Sequence, residues 1–132
     1  FYNTVGEYID NYGARSGGED LSRELHSLLG LSRRAGLIYI GTDSVKSQCI
    51  KEPLLILSAS DSSEAVEDIL RKQVEGSEHK HFRVPLSVEQ LSSALGAHGV
   101  QVIALPGRNG LADKIKMLLQ EGGVALEQNE SV

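Results

Sequence analysis

The chain has 132 residues and a mass of 14.2 kDa, with 40% hydrophobic and 23% charged residues. These values fit one ordinary globular domain, long enough to bury a core without stabilisation by disulfides or metals. Thirteen basic against eighteen acidic residues give a formal net charge of −5 at pH 7. This balance argues against nucleic-acid binding through bulk charge, although a local basic patch can still serve a short anionic ligand.

The first predicted segment, residues 1–18, is a linker or N-terminal arm. It contains three of the four tyrosines and shows no clear hydrophobic period. A loose terminus and tyrosines that dock on a neighbouring surface both fit this pattern. Because the chain begins at Phe1 and its only methionine is Met117, we expect a fragment or a processed product with another domain upstream.

Helical spacing of leucines predicts the first helix, from Glu19 onward. The leucines on the shared face are Leu21, Leu25, Leu28 and Leu29. Arg33 and Arg34 lie in the last turn, where cations interact favourably with the helix dipole. Gly36 follows as the expected C-cap. A short strand over residues 37–40 and a second helix over roughly 43–51 come next.

The strongest predicted strand covers residues 54–59, which are apolar on both faces as in a buried central strand. The spacings of Asp61–Glu64 and Ser87–Gln90 fit capping boxes and predict the starts of two further helices. The remaining predicted elements are a strand over 81–84, a strand over 100–105 and a helix from Leu111 to the glycine pair at 122–123.

The alternation of helices and strands predicts an α/β fold, a three-layer α/β/α sandwich with a four-stranded mixed central sheet in the order α-β-α-β-α-β-α-β-α. We expect this domain to occupy residues 19–122 and an acidic tail to occupy 123–132. No apolar run reaches the ~18 residues of a membrane helix, and no signal peptide opens the chain. Cys49 is the only cysteine, which excludes an internal disulfide and favours a cytoplasmic setting.

Sequence signatures of catalysis are missing, so we predict no catalytic residue, metal or cofactor. A pair of glycines with P-loop spacing lacks the lysine that reaches the phosphates. His79 and His81 alternate onto one face, but the spacing supplies no third metal ligand, and we predict solvated histidines in a surface turn. Asp61 is interpreted as a helix cap, and Cys49 as a buried, inert thiol.

The start of the second helix is the predicted binding feature. Gly41 precedes a helix N-terminus, where free backbone N–H groups and the positive end of the dipole can seat a phosphate or a base edge. Arg33, Arg34 and Lys46 place three cations around this point in the sequence. Ordinary capping beside a solvated face explains the same residues, so both interpretations stay open.

Residues 28–36, Leu-Leu-Gly-Leu-Ser-Arg-Arg-Ala-Gly, closely resemble the opening of bacterial members of the ribosomal-protein L-seven-Ae / L-thirty-e superfamily. Residues 41–45 are similar to the Gly-Thr-Asn-Glu-Val turn of its kink-turn binders. The further matches are 54–61 with the central strand, 84–85 with the strand before the fourth helix, 90–96 with the Glu-Leu-Gly-x-Ala-Leu-Gly segment and 100–105 with the last strand. The resemblance covers roughly residues 19–121 and implies the same order of elements.

More narrowly, residues 33–36 and 59–64 look like the C-terminal half of an alphaproteobacterial protein in which a small YlxR-type nucleic-acid-binding domain comes first. This resemblance implies that such a domain precedes Phe1 and that residues 1–18 form the connection to it.

The superfamily resemblance implies a non-catalytic domain that binds sharply kinked, structured RNA. Contacts would come from the turn at the start of the second helix and from the loop between the fourth helix and the last strand, with two arginines meeting the RNA backbone. The RNA-binding residues expected from the resemblance and the basic patch together are Arg33, Arg34, Gly41, Thr42, Asp43, Ser44, Lys46, Ser47, Ala97, His98 and Gly99.

The chain departs from the kink-turn pattern at three positions. Asp43 stands in place of an asparagine, Ser44 in place of a glutamate and Ser47 in place of a lysine. A carboxylate only accepts hydrogen bonds, whereas an asparagine amide also donates them. Lys46 is one residue, ~100° of helix rotation, from the position of the missing lysine.

Two alternatives to an RNA-binding domain stay open. They are a protein–protein interaction module on the same fold and the substrate-recognition domain of an RNA-modifying enzyme.

Overall fold

The computed structural model of the protein describes residues 17–127, with side chains described from Asp20 onward. The predicted arm therefore lies outside the described residues up to position 16, and the predicted acidic tail lies outside them from 128. Within the described range, no helix combines the length and the hydropathy that a membrane crossing requires.

Five helices and four strands alternate along the described chain, in the predicted order. Their bounds are α1 Gly17–Arg34, β1 Tyr39–Ile40, α2 Thr42–Cys49, β2 Leu54–Ser58, α3 Glu64–Val74, β3 Lys80–Arg83, α4 Val88–Leu95, β4 Val102–Pro106 and α5 Gly110–Glu121.

The four strands form one mixed sheet in the order β1-β4-β2-β3. β4 runs antiparallel to both of its neighbours, while β2 and β3 are parallel. The carboxyl ends of β1, β2 and β3 and the amino end of β4 therefore meet at one edge of the sheet. We call this edge the upper edge. The helices α2, α3 and α4 begin shortly after β1, β2 and β3 end there.

The period of two along the central strands divides the core between the two faces of the sheet. Leu55 and Leu57 of β2 belong to the larger cluster, which includes leucines of α1, α4 and α5. Leu54 and Ile56 belong to a smaller cluster, with Val45 of α2 and side chains of α3. The helices thus lie on both faces, and the structure confirms the predicted α/β sandwich.

The observed strands begin within two residues of the predicted starts, with β1 starting at Tyr39 instead of 37 and β4 at Val102 instead of 100. α1 begins at Gly17, two residues before the predicted start. The first residues of the predicted tail pack on the domain, because Val124 and Leu126 contact the larger core. The backbone N–H of Glu127 donates to the His81 carbonyl at 2.8 Å, so this segment lies beside β3.

Candidate nucleic-acid interface

The start of α2 is an exposed helix N-terminus without a side-chain cap. Its N-cap is Gly41, whose φ of 93° lies in the left-handed region that favours glycine, and no side chain of the described residues caps the helix there. The N–H of Val45 donates to the Gly41 carbonyl at 3.0 Å. The N–H groups of Thr42, Asp43 and Ser44 therefore precede the first intrahelical bond.

The loop between α4 and β4 lies beside this helix start. The Gly41 N–H donates to the carbonyl of Val102, the first residue of β4, at 2.9 Å. The loop itself is held by Ser92, whose carbonyl accepts from Ala97 at 2.9 Å and whose hydroxyl accepts from Val100 at 2.8 Å. Two segments separated by more than 50 residues in sequence thus meet at the upper edge.

Thr42 and Ala97 are half-buried, whereas five polar side chains of the two segments are open to solvent. These five are Asp43, Ser44, Lys46, Ser47 and His98. Among the described residues, none of these five side chains forms a hydrogen bond or an ion pair with another side chain. Because their polar atoms are not engaged, they can contact a ligand without breaking an existing interaction.

Arg33 and Arg34 are exposed at the end of α1. A Cβ at Gly30 would lie 3.6 Å from the Ala94 carbonyl oxygen and 3.8 Å from Nη1 of Arg34. Arg34 therefore lies on the side of α1 that faces the end of α4, from which the Ala97–Gly99 loop leaves. Among the described residues, no contact joins either arginine to the start of α2 or to the Ala97–Gly99 loop.

The interpretation of Asp61 as the cap of the following helix is wrong. The N-cap of α3 is Ser63, whose hydroxyl accepts from the Val66 N–H at 3.2 Å. The Asp61 carboxylate instead accepts from the N–H of Val88, the first residue of α4, at 2.8 Å. The chain turns tightly after β2, and this turn directs Asp61 toward a helix that begins 27 residues later in the sequence.

The prediction of solvated histidines is also wrong, because His79 and His81 are both buried. Nδ1 of His79 accepts from the Leu54 N–H at 3.0 Å, at the start of β2. Burial lowers the pKa of His79, and this effect outweighs a hydrogen bond with the Cys49 backbone and the charge of Glu78, which raise the pKa. His79 is thus a neutral ring that joins the end of α2 to β2.

His81 belongs to a buried polar cluster between the sheet and α3. Its Nε2 lies 2.9 Å from the Ser58 hydroxyl and 3.9 Å from a carboxylate oxygen of Glu67. The other oxygen of Glu67 accepts from the Ser62 hydroxyl. Burial lowers the pKa of His81, and Glu67 opposes that shift. Because all four side chains are buried, the cluster fixes α3 against the sheet and is closed to a substrate.

The described residues were compared with the requirements of a metal site and of a reactive thiol. No group of three or more histidine, cysteine, aspartate or glutamate side chains could hold a metal ion there. Cys49 is half-buried, and burial raises the pKa of its thiol, which disfavours the reactive thiolate.

Two clefts lie away from the upper edge. One, of about 390 Å³, lies at the opposite edge of the sheet and is lined by Lys80, Arg108 and Lys116 together with Glu78 and Asp113. The other, of about 510 Å³, lies between α1 and α5. Neither contains a residue of the predicted interface.

Comparisons with known proteins support the fold alone. No protein-family model matches the chain, and no curated protein matches it. Among solved structures, the chain is similar to a protein from Bacillus halodurans that is described as having unknown function, with a TM-score of 0.66 and 23% sequence identity. The match covers 74% of this chain and 97% of that one. At this identity the likeness shows a shared α/β sandwich and carries no statement about function.

Proposed function

We propose that this chain is a non-catalytic RNA-binding domain that recognises structured, kinked RNA at the upper edge of its sheet. The binding surface consists of the start of α2 and the α4–β4 loop, with Arg33 and Arg34 at its border. We place this activity in the cytoplasm, because Cys49 is the only cysteine of the chain. An upstream nucleic-acid-binding domain would add affinity to the same complex.

The observation that carries the proposal is the hydrogen bond between the Gly41 N–H and the Val102 carbonyl, at 2.9 Å. It joins the residue before α2 to the first residue of β4, three residues after Gly99, so the helix start and the α4–β4 loop reach the same edge of the sheet. The family resemblance implies both segments separately as RNA contacts. Uncapped N–H groups at Thr42–Ser44 suit a phosphate or a base edge, and the loop beside them offers a second point of contact. Two contacts in fixed relation suit an RNA of defined shape, which is how folded RNA is generally recognised.

The charge of this surface supports a role in shape recognition rather than in strong electrostatic attraction. The residues proposed for this surface include three cations, Arg33, Arg34 and Lys46, and one anion, Asp43. A surface of three or four cations implies a salt dependence of log K against log[salt] with a slope on the order of −2 to −4.

A protein–protein interaction module is the second candidate function. The formal net charge of −5 and the carboxylate of Asp43 in the turn favour it, because both disfavour the approach of phosphate. The third candidate, the recognition domain of an RNA-modifying enzyme, requires a catalytic unit elsewhere in the polypeptide.

The site assignment is tested by charge-removal variants titrated against a kinked RNA at ~100 mM salt. The double variant Arg33→Ala/Arg34→Ala is expected to weaken binding about tenfold, and each lost phosphate contact is expected to reduce the salt slope by about 1. The single variant Lys46→Ala is expected to weaken binding less, by about two- to fivefold.

Matched controls remove equal charge elsewhere. Lys51→Ala removes a cation just beyond the other end of α2, and Lys114→Ala/Lys116→Ala removes two from α5. Both controls are expected to bind like the unaltered protein. Equal losses in the controls and the test variants would mean that RNA attraction is diffuse and that the upper edge is not the site.

A further inference from the structure

Gln101 connects the α4–β4 loop to the turn between β2 and α3. It lies two residues after Gly99, between the loop and β4. Its backbone carbonyl accepts from the Ala59 N–H at 2.9 Å, and its side-chain Oε1 accepts from the Ser63 N–H at 2.7 Å. One residue therefore binds both sides of the β2–α3 turn.

The bond to Ser63 replaces an interaction that helices usually make within their own first turn. In α4, the N-cap Ser87 and the third helical residue Gln90 form a reciprocal capping box, in which the Gln90 side chain accepts from the Ser87 N–H at 2.9 Å. In α3, the third helical residue is Val66, whose side chain has no acceptor. The N–H of the N-cap Ser63 is satisfied instead by Gln101, from 38 residues away.

The turn that Gln101 contacts is itself firmly anchored. The Ser62 hydroxyl donates to the buried carboxylate of Glu67, and the Ser60 N–H donates to the Leu86 carbonyl at 2.8 Å. Gln101 is half-buried, whereas His98 and Gly99 are exposed. Its side chain thus connects an exposed loop to a fixed part of the scaffold.

We propose that Gln101 is a positioning residue, which holds the Ala97–Gly99 loop in the register required for kinked RNA by completing the N-terminal hydrogen bonds of α3. This role rests on the proposed function. A bound loop that is already ordered loses less conformational entropy on association, so the bond would favour the RNA whose shape requires the loop.

The test separates the hydrogen bond from the size and charge of the side chain. Gln101→Met keeps a similar length and removes the acceptor, while Gln101→Glu keeps an acceptor and adds a charge. Ser93→Glu adds the same charge on the exposed side of α4 and serves as the control for Gln101→Glu. For each variant of the full chain, we would measure amide exchange at Ser63 by NMR and the dissociation constants for a kinked RNA and a plain duplex of equal length.

The Met variant is expected to speed amide exchange at Ser63 about two- to tenfold and to weaken binding to the kinked RNA about two- to fivefold, with binding to the duplex unchanged. The Glu variant is expected to restore slow exchange and to show the same kinked-to-duplex preference as Ser93→Glu. A purely structural role would weaken binding to both RNAs alike and leave that preference unchanged.

Unchanged exchange at Ser63 in the Met variant would overturn the inference, as would faster exchange with an unchanged RNA preference. If the unaltered protein binds neither RNA, the proposed function fails, and the positioning role fails with it. The exchange measurement still reports in that case whether the Gln101–Ser63 bond forms, so the two failures can be distinguished.

Discussion

Gly41 sets the backbone conformation that lets the chain pass from β1 into α2. Its φ is 93°, and a Cβ at this position would meet no atom within 4 Å. The cost of a larger residue is therefore conformational strain rather than a steric clash. We predict that Gly41→Ala lowers the free energy of unfolding by about 1–3 kcal/mol and lowers the Tm accordingly, measured by thermal denaturation.

Gly110→Ala is a matched control for this prediction. Gly110 also has open space around its Cβ position, but its φ is not positive, and it is the first residue of α5. Its replacement is expected to leave stability unchanged or slightly increased, because alanine favours the helix. Equal stability of the Gly41→Ala variant and the unaltered protein would contradict the positive φ at Gly41.

The buried histidines make stability depend on pH. Because burial lowers the folded-state pKa of His79 and of His81, the unfolded chain binds more protons at acidic pH. Their contribution to stability is thus fully present above the unfolded pKa of about 6.5 and is lost as pH falls below that value. We predict that the Tm falls by several degrees between pH 7.5 and pH 5.5.

The titrating group can be identified with His81→Asn. This variant loses the contact with Ser58 and starts from a lower Tm, but it has one histidine fewer to protonate. Its Tm is expected to change less steeply with pH than that of the unaltered protein. His26→Asn, at an exposed position on α1, is the control and is expected to keep the full slope. An identical slope in all three proteins would exclude His81 as a contributor.

At the scale of single elements, α4 depends on a side chain outside its own sequence. The Asp61 carboxylate accepts from the Val88 N–H at 2.8 Å, and a negative charge at a helix N-terminus interacts favourably with the dipole. We predict that Asp61→Ala lowers the free energy of unfolding by about 1 kcal/mol, with faster amide exchange in the first turn of α4.

Asp61→Asn distinguishes the hydrogen bond from the charge. Asparagine keeps an acceptor oxygen for the Val88 N–H, so most of the stability is expected to remain. If Asn destabilises the protein as much as Ala does, the charge carries the effect. If neither variant changes stability or exchange, Asp61 does not cap α4.

The spacing of apolar residues predicts most of the fold, because it indicates which face of each helix or strand is buried. The leucines of α1 and the apolar run of β2 indicate their burial without knowledge of their partners. The spacing of polar side chains does not indicate which of them are buried or which groups they bind. The sequence does not predict the roles of His79, His81 and Asp61, because their partners are distant in sequence and meet them only after folding. These partners are Leu54, Glu67 and Val88.

Only part of the candidate site can be predicted from the residues themselves. Gly41 and the residues after it carry a local signal, a glycine before a helix start. The expectation that the Ala97–Gly99 loop contacts RNA rests on the family resemblance alone. Gln101 lies inside the predicted strand over 100–105, where an isolated glutamine gives no indication of the hydrogen bond that its side chain forms.

At the scale of the whole molecule, the formal net charge of −5 opposes RNA binding, while the upper edge offers uncapped N–H groups at the start of α2. The proposed RNA binding would therefore depend on the fit between this edge and the shape of the RNA, and we expect a plain duplex to compete poorly. Shape dependence is the central claim, since bulk attraction would require a basic domain.

The most direct test is a titration of the domain against a kinked RNA and a plain duplex of equal length, at ~50 mM and ~200 mM salt. We predict preference for the kinked RNA at both salt concentrations, with a shallow slope on the order of −2 to −4. Equal affinity for the two RNAs with a steep slope would contradict shape recognition. Absence of binding to either RNA would contradict the RNA-binding proposal and favour the protein-interaction module.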